Sequence, residues 1–165
     1  MGENRDELLA ELSREGRRLG STSTLHNHAC ADLVGINPTD WDGLDVLDWT
    51  GPLTAGQLAG HVGLTSGAIT GVIDRLEEAG FVRRAPDPHD RRKVIVHLRR
   101  DKDRQMGEVF DLLARALDDL TARYSDAELA VIVDFLRGAN EALVDSTERM
   151  RAAARARKQG RPPSG

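Results

Sequence analysis

The chain has 165 residues, with 27 acidic side chains against 23 lysines and arginines and a formal net charge of −4. This length suits one compact domain with an appended element, and the single cysteine, Cys30, excludes an intramolecular disulfide and a four-cysteine zinc site. The start of the chain has neither the basic patch nor the apolar stretch of a secretion signal, and no apolar run approaches the ~20 residues of a membrane helix. We therefore expect a cytoplasmic protein with no membrane partner and no cofactor.

The charge is unevenly distributed along the chain. Residues 1–50 carry 4 basic and 10 acidic side chains, residues 51–100 carry 8 and 5, and residues 101–148 carry 5 and 12. Residues 149–165 carry 6 basic and no acidic groups. Because salt screens charges beyond ~8–10 Å, an acidic protein can bind a polyanion through a locally basic segment. The segment 51–100 is therefore a candidate for nucleic-acid contact, although a mixed solvated surface has the same charge.

Two helices are predicted in the first third of the chain. Residues 6–34 have the apolar spacing of one long, imperfect helix. The second helix is predicted to begin at Pro38, after an Asn37 N-cap, and to end at about Trp49. Its apolar stripe consists of Trp41, Leu44 and Leu47.

Two shorter helices follow in quick succession. Thr54 and Gln57 form a capping box at the start of the first, which is predicted over residues 55–62. Thr65 caps the second, which is predicted to end at Ala79 before a glycine. One side of this second helix is apolar and is predicted to face the core: Ile69, Val72, Ile73 and Leu76.

The other side of this helix is small and, apart from Asp74, uncharged. Ser66 and Thr70 can donate hydrogen bonds to phosphates or base edges, while Gly67 and Gly71 allow close approach of the backbone. The N-terminal amides and the dipole of the helix favour a phosphate there. The pattern indicates a helix that enters the major groove of DNA, although an ordinary solvent face of small residues is the alternative.

The period then changes from helical to alternating. Residues 82–85 and 93–98 are predicted strands, and residues 86–92 form a stiff, charged hairpin tip. An arginine at such a tip can enter a narrow minor groove, and Asp90 is close enough to Arg92 to orient its guanidinium. The alternative is that these charges only keep the exposed edge of the hairpin soluble. The five cations of this region are Arg83, Arg84, Arg91, Arg92 and Lys93.

The last third of the chain is helical again. One predicted helix has a heptad-type seam of Met106, Phe110, Leu113, Leu117, Leu120 and Tyr124. Ser125 and Glu128 form a capping box for the next, in which the spacing continues through Leu129, Ile132, Leu136, Ala139 and Leu143. These seams have more apolar surface than the preceding segment of ~50 residues could cover by itself. We therefore expect partner helices to pack against them. From Arg151 onward the composition predicts a helix that frays into a disordered, basic tail.

Helix, turn, helix and hairpin is the order of a winged helix-turn-helix, and the residues of this region resemble the MarR family of bacterial transcriptional regulators. The resemblance covers most of the chain and is densest over residues 51–98. Its most specific element is the D-x-R of the wing. The motifs that carry it include Gly63-Leu64-Thr65, Asp74-Arg75-Leu76-Glu77, Gly80-Phe81-Val82-Arg83-Arg84 and Asp87-Pro88-His89-Asp90-Arg91-Arg92.

The resemblance implies a mainly α fold with a small β-hairpin wing, in a homodimer whose first and last two helices interlock. It implies a ligand-responsive, repressor-type regulator that binds double-stranded DNA at a pseudo-palindromic operator. Many relatives carry a long polar or basic side chain where this chain has Gly71, which shifts base reading toward Ser66, Thr70 and the wing. The implied regions are 1–50 (N-terminal dimerisation and support), 51–100 (DNA binding), 101–150 (C-terminal dimerisation) and 151–165 (basic tail).

Two sets of side chains are predicted to contact DNA. The recognition-helix set is Thr65, Ser66, Gly67, Thr70, Gly71 and Arg75. The wing set is Arg83, Arg84, Asp90, Arg91, Arg92 and Lys93. The resemblance also implies a pocket for a small-molecule effector, for which the candidate lining residues are His28, Trp41, Leu44, Met106 and Phe110. Ordinary core packing explains the same residues, and Cys30 fits a buried inert thiol better than an oxidant sensor.

Two other functional classes were weighed against DNA binding. A winged helix can also dock proteins without binding DNA. This alternative would be favoured if the wing cations proved dispensable for function. An enzyme could be imagined from His61, His89 and His97 with Asp87 and Asp90. The chain has no glycine-rich phosphate loop, no H-E-x-x-H and no nucleophile elbow, so the sequence predicts neither catalysis nor a metal site.

Overall fold

A computed structural model describes residues 2–90, 92–99 and 104–158, with side chains except at positions 2, 3, 104–110, 112 and 158. The chain divides into two compact units, Met1–Asp111 and Leu112–Gly165. The elements in chain order are α1 (Gly2–Val34), α2 (Pro38–Thr50), β1 (Leu53–Thr54), α3 (Ala55–Val62), α4 (Ser66–Glu78), β2 (Val82–Pro86), β3 (Val94–Leu98), α5 (Arg104–Thr121) and α6 (Asp126–Lys158). The mainly α fold with a small β wing is therefore confirmed.

Capping side chains define where the helices of the first unit begin. The Asn37 side chain accepts a hydrogen bond from the backbone N–H of Asp40 at 2.9 Å, and Thr65 caps α4 in the same way. Both halves of the Thr54–Gln57 capping box at α3 are present. Gly63 ends α3 with a left-handed φ of 79°, which glycine adopts without the steric penalty of a Cβ. The predicted starts of α2, α3 and α4 are confirmed.

The strands form one antiparallel sheet in the order β1-β3-β2. In its centre Val96 of β3 lies between Leu53 of β1 and Arg84 of β2. The two hairpin strands were predicted, whereas β1 was not. Two residues are too few to show an alternating pattern, and their partner strand lies far along the chain.

The core of the first unit is built by α2, α3, α4 and the sheet, together with Cys30 and Ala31 near the end of α1. Its largest fully buried side chains are Trp41, Leu44, Leu47, Leu58, Ile69, Val72, Ile73, Leu76, Val82 and Val96. Burial of each such side chain contributes about 1.5–3 kcal/mol to the stability of the fold. Helices α2 and α4 pack closely, since a Cβ added at Gly43 would lie 3.4 Å from Val72 Cγ1 and 3.7 Å from Leu76 Cδ1. This packing places α4 with its opposite face outward.

The remaining helices expose apolar side chains. Leu136 is 44% exposed and Leu143 is 65% exposed on α6, and Leu113 is 44% exposed on α5. On α1 the exposed members are Leu8, Leu9, Leu12, Leu19, Leu25 and Leu33. A soluble protein rarely leaves so many large apolar side chains in contact with water. These helices therefore present a surface suited to further burial.

Two predicted boundaries in the last third differ from the structure. The seam was predicted to run to Tyr124, but α5 ends at Thr121 and the Tyr124 N–H donates to the Thr121 carbonyl in a turn. The Ser125–Glu128 capping box starts α6 immediately afterwards, which leaves no room for another turn of α5. Helix α6 continues past position 151 to Lys158. Residues 159–165 of the predicted tail lie outside the described residues.

Cys30 is buried at 4% exposure, with its Sγ 3.4 Å from Nε2 of His26 one turn earlier on α1. Burial raises the pKa of the Cys30 thiol, and the negative charge of Asp45 raises it further. Because the thiolate is the reactive form of cysteine, these surroundings favour the inert thiol over the sensor.

Asp45 on α2 supplies a pH-dependent prediction. Burial raises the pKa of its carboxyl, and the nearby Asp48 and Asp42 raise it further. A carboxyl with a raised folded-state pKa contributes stability below its unfolded pKa and loses that contribution as the pH rises through the folded pKa. We therefore expect Asp45→Asn to raise the Tm at pH 7 and to leave it unchanged at pH 3. Thermal denaturation followed by circular dichroism at both pH values measures this. The control is Asp32→Asn, at an exposed position of α1, and an equal Tm for Asp45→Asn and wild type at pH 7 would contradict the expectation.

Candidate nucleic-acid interface

Helix α4 presents one buried and one exposed face. Ile69, Val72, Ile73 and Leu76 are at most 2% exposed, so the residues on the other side are directed to solvent. Ser66, Gly67 and Thr70 are all exposed there. The Thr70 hydroxyl donates to the Ser66 carbonyl at 2.9 Å, so the proton that was expected to be free for DNA is used within the helix. The lone pairs of the Thr70 hydroxyl and the hydroxyl of Ser66 give this face its hydrogen-bonding capacity.

The two glycines of this face are not required by packing within the protein. A Cβ added at Gly67 would meet nothing within 4 Å, and one at Gly71 would meet only the Arg75 Nη1 at 3.5 Å, an ordinary contact. Since glycine is a poor helix former, these positions forgo helix stability without gaining an internal contact. The two glycines leave space beside the helix, which another molecule needs in order to approach the backbone of α4 closely.

Arg75, predicted to contact DNA, forms an ion pair inside the protein. Its Nε donates to Asp40 Oδ2 at 2.9 Å and its Nη2 donates to Asp40 Oδ1 at 2.6 Å. The Asp40 side chain is 5% exposed and that of Arg75 is 53% exposed. This bidentate hydrogen bonding raises the pKa of Arg75 further above its ordinary value.

Arg84, predicted as a wing contact, joins β2 to α4. Its backbone N–H donates to Glu77 Oε1 at 2.9 Å, and its guanidinium contacts both Glu77 Oε2 and, at 2.5 Å, Asp74 Oδ1. Hydrogen bonds from Arg84 lower the pKa of Glu77. The Arg84 charge is therefore balanced within the protein. The same guanidinium also pairs with Asp74, the charged residue on the small face of α4, and so offsets part of its charge.

The wing carries the more exposed cations. Arg92 is 93% exposed, and its Nε donates to Asp90 Oδ1 at 3.3 Å, as the D-x-R spacing predicted. Lys93 Nζ lies 3.8 Å from the other oxygen of Asp90. Arg83 is exposed on β2. Arg91 lies outside the described residues. The cationic surface of the described wing therefore consists of Arg83, Arg92 and Lys93.

Asp87 holds the turn that leads to these cations. Its Oδ1 accepts hydrogen bonds from the backbone N–H groups of His89, at 2.7 Å, and Asp90, at 3.3 Å. Donation by these backbone groups, together with the charges of His89 and Lys93, lowers the pKa of the Asp87 carboxyl. The turn is thereby shaped before any contact with a partner.

The candidate pocket residues do not share one environment. Trp41 and Leu44 lie in the core at 2% and 0% exposure, whereas His28 is exposed on α1. The side chains of Met106 and Phe110 lie outside the described residues. Trp41 and Leu44 are therefore packed in the core of the first unit, and the lining of an effector pocket stays a prediction.

Sequence reasoning missed three acidic residues that organise the interface, namely Asp40, Asp74 and Glu77. Each pairs with an arginine that is distant in sequence or on another element, and nothing in local periodicity indicates such a pair. In the part of the chain that the structure describes, no group of three or more His, Cys, Asp or Glu residues could hold a metal ion. No helix there is long and apolar enough to cross a membrane.

Comparisons with known proteins agree with this geometry. The profile of the MarR family matches residues 36–94, from the end of α1 to the start of β3. The HTH-type transcriptional regulator YcgE of Bacillus subtilis is 34% identical over 148 residues, which cover 90% of this chain and 96% of YcgE.

Solved structures show the same fold. A MarR family protein from Bacillus stearothermophilus has 26% identity and a TM-score of 0.60, over 84% of this chain and 96% of that one. The structure of NadR in complex with 4-hydroxyphenylacetate aligns with a TM-score of 0.58 at 20% identity, over 75% of this chain and 89% of NadR. In this winged helix-turn-helix, α4 and the wing both have solvent-exposed faces. Together with these similarities, this shows that the chain belongs to the MarR family of DNA-binding transcriptional regulators.

Proposed function

We propose that the protein binds a pseudo-palindromic operator as a homodimer and represses transcription until a small molecule lowers its DNA affinity. The observation that carries this proposal is the outward face of α4, which is built mainly of small residues, has its Asp74 paired with Arg84, and is accompanied by the exposed cations of the wing. A face of this kind fits the major groove, and a cationic wing fits the adjacent minor groove or phosphates.

The exposed apolar side chains support the homodimer. Leu129, Ile132, Leu136 and Leu143 follow one another along α6 at spacings of three, four and seven residues, the pattern of a helix that packs on another helix. An identical subunit provides a matching surface by two-fold symmetry. Such a dimer presents two α4 helices to one side of the DNA, and half-sites about 34–36 Å apart accommodate both.

The proposed effector is a small organic molecule. Its support is the structural neighbour NadR, which was solved in complex with 4-hydroxyphenylacetate. A ligand that binds one dimer geometry better than another shifts the population toward that geometry. If the favoured geometry separates the two recognition helices incorrectly, only one helix engages its half-site, and the affinity falls.

Selection of duplexes tests the proposal directly. The full chain is incubated with fragments of its source genome, and bound fragments are recovered at moderate salt and sequenced. We expect enrichment of an inverted repeat whose half-sites lie one helical turn apart. Recovery without any enriched motif would overturn specific recognition, and failure to bind duplex DNA at all would favour the protein-docking alternative.

Arg92→Ala tests the role of the wing. We expect the Kd for the selected duplex to rise about tenfold, and the slope of log Kd against log salt to fall by about one unit per subunit if Arg92 contacts a phosphate. Mobility-shift titration over a range of salt concentrations measures both quantities. Arg18→Ala removes the same charge from an exposed site on α1 and should change neither. Unchanged affinity of Arg92→Ala at every salt concentration would refute this role.

A further inference from the structure

Asp40 is the one buried charged residue in the described part of the chain, with 3% of its surface exposed. Each of its oxygens has a partner. Oδ1 accepts from Arg75 Nη2 at 2.6 Å, while Oδ2 accepts from Arg75 Nε at 2.9 Å and from Asn37 Nδ2 at 2.6 Å. Burial of a carboxylate is unfavourable unless it is paired and hydrogen-bonded in this way. The Asp40 side chain is thus held in a single arrangement by two different elements.

The position of Asp40 links two parts of the fold. It lies in the first turn of α2, and its backbone N–H donates to the Asn37 side chain that caps this helix. Asn37 follows directly on the turn at the end of α1, where the Ile36 N–H donates to the Ala31 carbonyl. Arg75 lies in the last third of α4. The pair therefore connects the junction of α1 and α2 to the helix that bears the outward face.

The geometry of the pair restricts how α4 can rotate. A guanidinium and a carboxylate joined by two parallel hydrogen bonds have a defined relative orientation, which a single bond or a point charge does not impose. The close packing of α2 on α4 at Gly43, Val72 and Leu76 fixes the distance between the helices. The paired hydrogen bonds add a directional restraint to this apolar contact, because a guanidinium that turns away from the carboxylate loses both of them.

We propose that Arg75 is a positioning residue, held by Asp40 so that α4 presents Ser66, Gly67 and Thr70 to DNA at the correct angle, and that Arg75 is not itself a DNA contact. This inference rests on the proposed function. It reverses the role that the sequence suggested for Arg75. It also makes the buried carboxylate of Asp40, which DNA never touches, a determinant of operator affinity.

The two roles of Arg75 predict opposite effects of Asp40→Asn. If Arg75 is a positioning residue, loss of the Asp40 charge loosens α4 and weakens binding. If Arg75 is a DNA contact, Asp40→Asn removes a negative charge and releases the guanidinium, so binding is unchanged or tighter. Arg75→Lys gives a second distinction, because lysine keeps a charge for a phosphate but cannot form the paired hydrogen bonds.

The experiment compares wild type, Asp40→Asn, Arg75→Gln, Arg75→Lys and the double variant Asp40→Asn/Arg75→Gln. Each is titrated against the duplex selected by the wild-type protein, and against an unrelated duplex, at several salt concentrations. We expect each single variant to raise the Kd for the selected duplex about tenfold, and the double variant to be no weaker than the singles, since both changes disrupt one interaction. The salt slope and the Kd for the unrelated duplex should remain as in wild type.

The outcomes separate failure of this inference from failure of the proposed function. If the wild-type protein selects no duplex, the proposed function fails and this inference falls with it. If the wild type binds but Asp40→Asn binds as tightly, or Arg75→Lys retains full affinity, or Arg75→Gln lowers the salt slope by about one unit per subunit, the positioning role alone is overturned. Thermal unfolding of each variant confirms that it is folded. If Asp40→Asn is unstable, Arg75→Lys supplies the decisive comparison, because the side chain at position 75 is half exposed and its replacement disturbs the core less.

Discussion

Leu136→Glu in α6 is expected to dissociate the proposed homodimer and to raise the Kd for the operator duplex by about 100-fold or more. Leu136 is 44% exposed in the single chain and lies within the apolar seam of α6. A carboxylate there would have to be buried without a partner in the dimer, which is strongly unfavourable. Each freed subunit would then bind one half-site only and lose the gain in effective concentration that the second half-site provides.

Analytical ultracentrifugation and mobility-shift titration measure the two effects of Leu136→Glu separately. Arg137→Gln is the matched control, because it changes the net charge by the same amount at an exposed position on another side of α6. It should leave both mass and affinity unchanged. If Leu136→Glu sediments as a dimer and binds as the wild type does, the assignment of this seam to the dimer is wrong.

Gly67→Leu is expected to weaken operator binding while leaving the fold intact. A Cβ at this position meets nothing within 4 Å, and leucine is a better helix former than glycine, so the Tm should be unchanged or slightly raised. If the backbone of α4 approaches the bases here, the leucine side chain prevents that approach. Loss of one good base contact costs ~1–3 kcal/mol in each half-site, so the Kd should rise by about 30-fold or more.

Gly60→Leu controls for the added apolar bulk. Gly60 lies on the exposed side of α3, and a Cβ there also meets nothing within 4 Å. The variant should bind DNA as the wild type does. Comparable affinity for Gly67→Leu and Gly60→Leu, with both proteins folded, would show that α4 does not approach DNA at Gly67.

The distribution of charge on this surface has a consequence for specificity. Of the predicted cations, Arg75 and Arg84 pair with carboxylates of α2 and α4, whereas Arg83, Arg92 and Lys93 are exposed on the wing, where Asp90 lies beside the last two. The outward face of α4 is thus formed mainly by small, uncharged residues, with Asp74 paired to Arg84. In the proposed complex, such a face would bind DNA through fit and hydrogen bonds, and the wing would provide the attraction that depends on salt.

Local chemistry was sufficient to predict where most elements of the first unit begin and end. Asn37, Thr54 and Thr65 act as caps because their side chains reach backbone N–H groups within the same turn. The contact of Arg92 with Asp90 was also predictable, since the two residues are only two positions apart and their side chains can reach each other within the turn. Strand β1 was not, because its single partner is remote in sequence and its two residues show no periodicity.

The amino-acid sequence by itself determined the family, the helix-turn-helix, the charged wing and the small outward face of α4, all of which depend on short spacings and on residue type. Only the tertiary structure decided which arginines pair with carboxylates of other elements. Arg75, Arg84 and Arg92 carry the same charge in the sequence, yet the first two pair with carboxylates of α2 and α4, whereas Arg92 lies on the wing beside Asp90. The physical reason is that an ion pair depends on distances of a few ångströms between elements, and these are set by the packing of α2, α4 and the sheet.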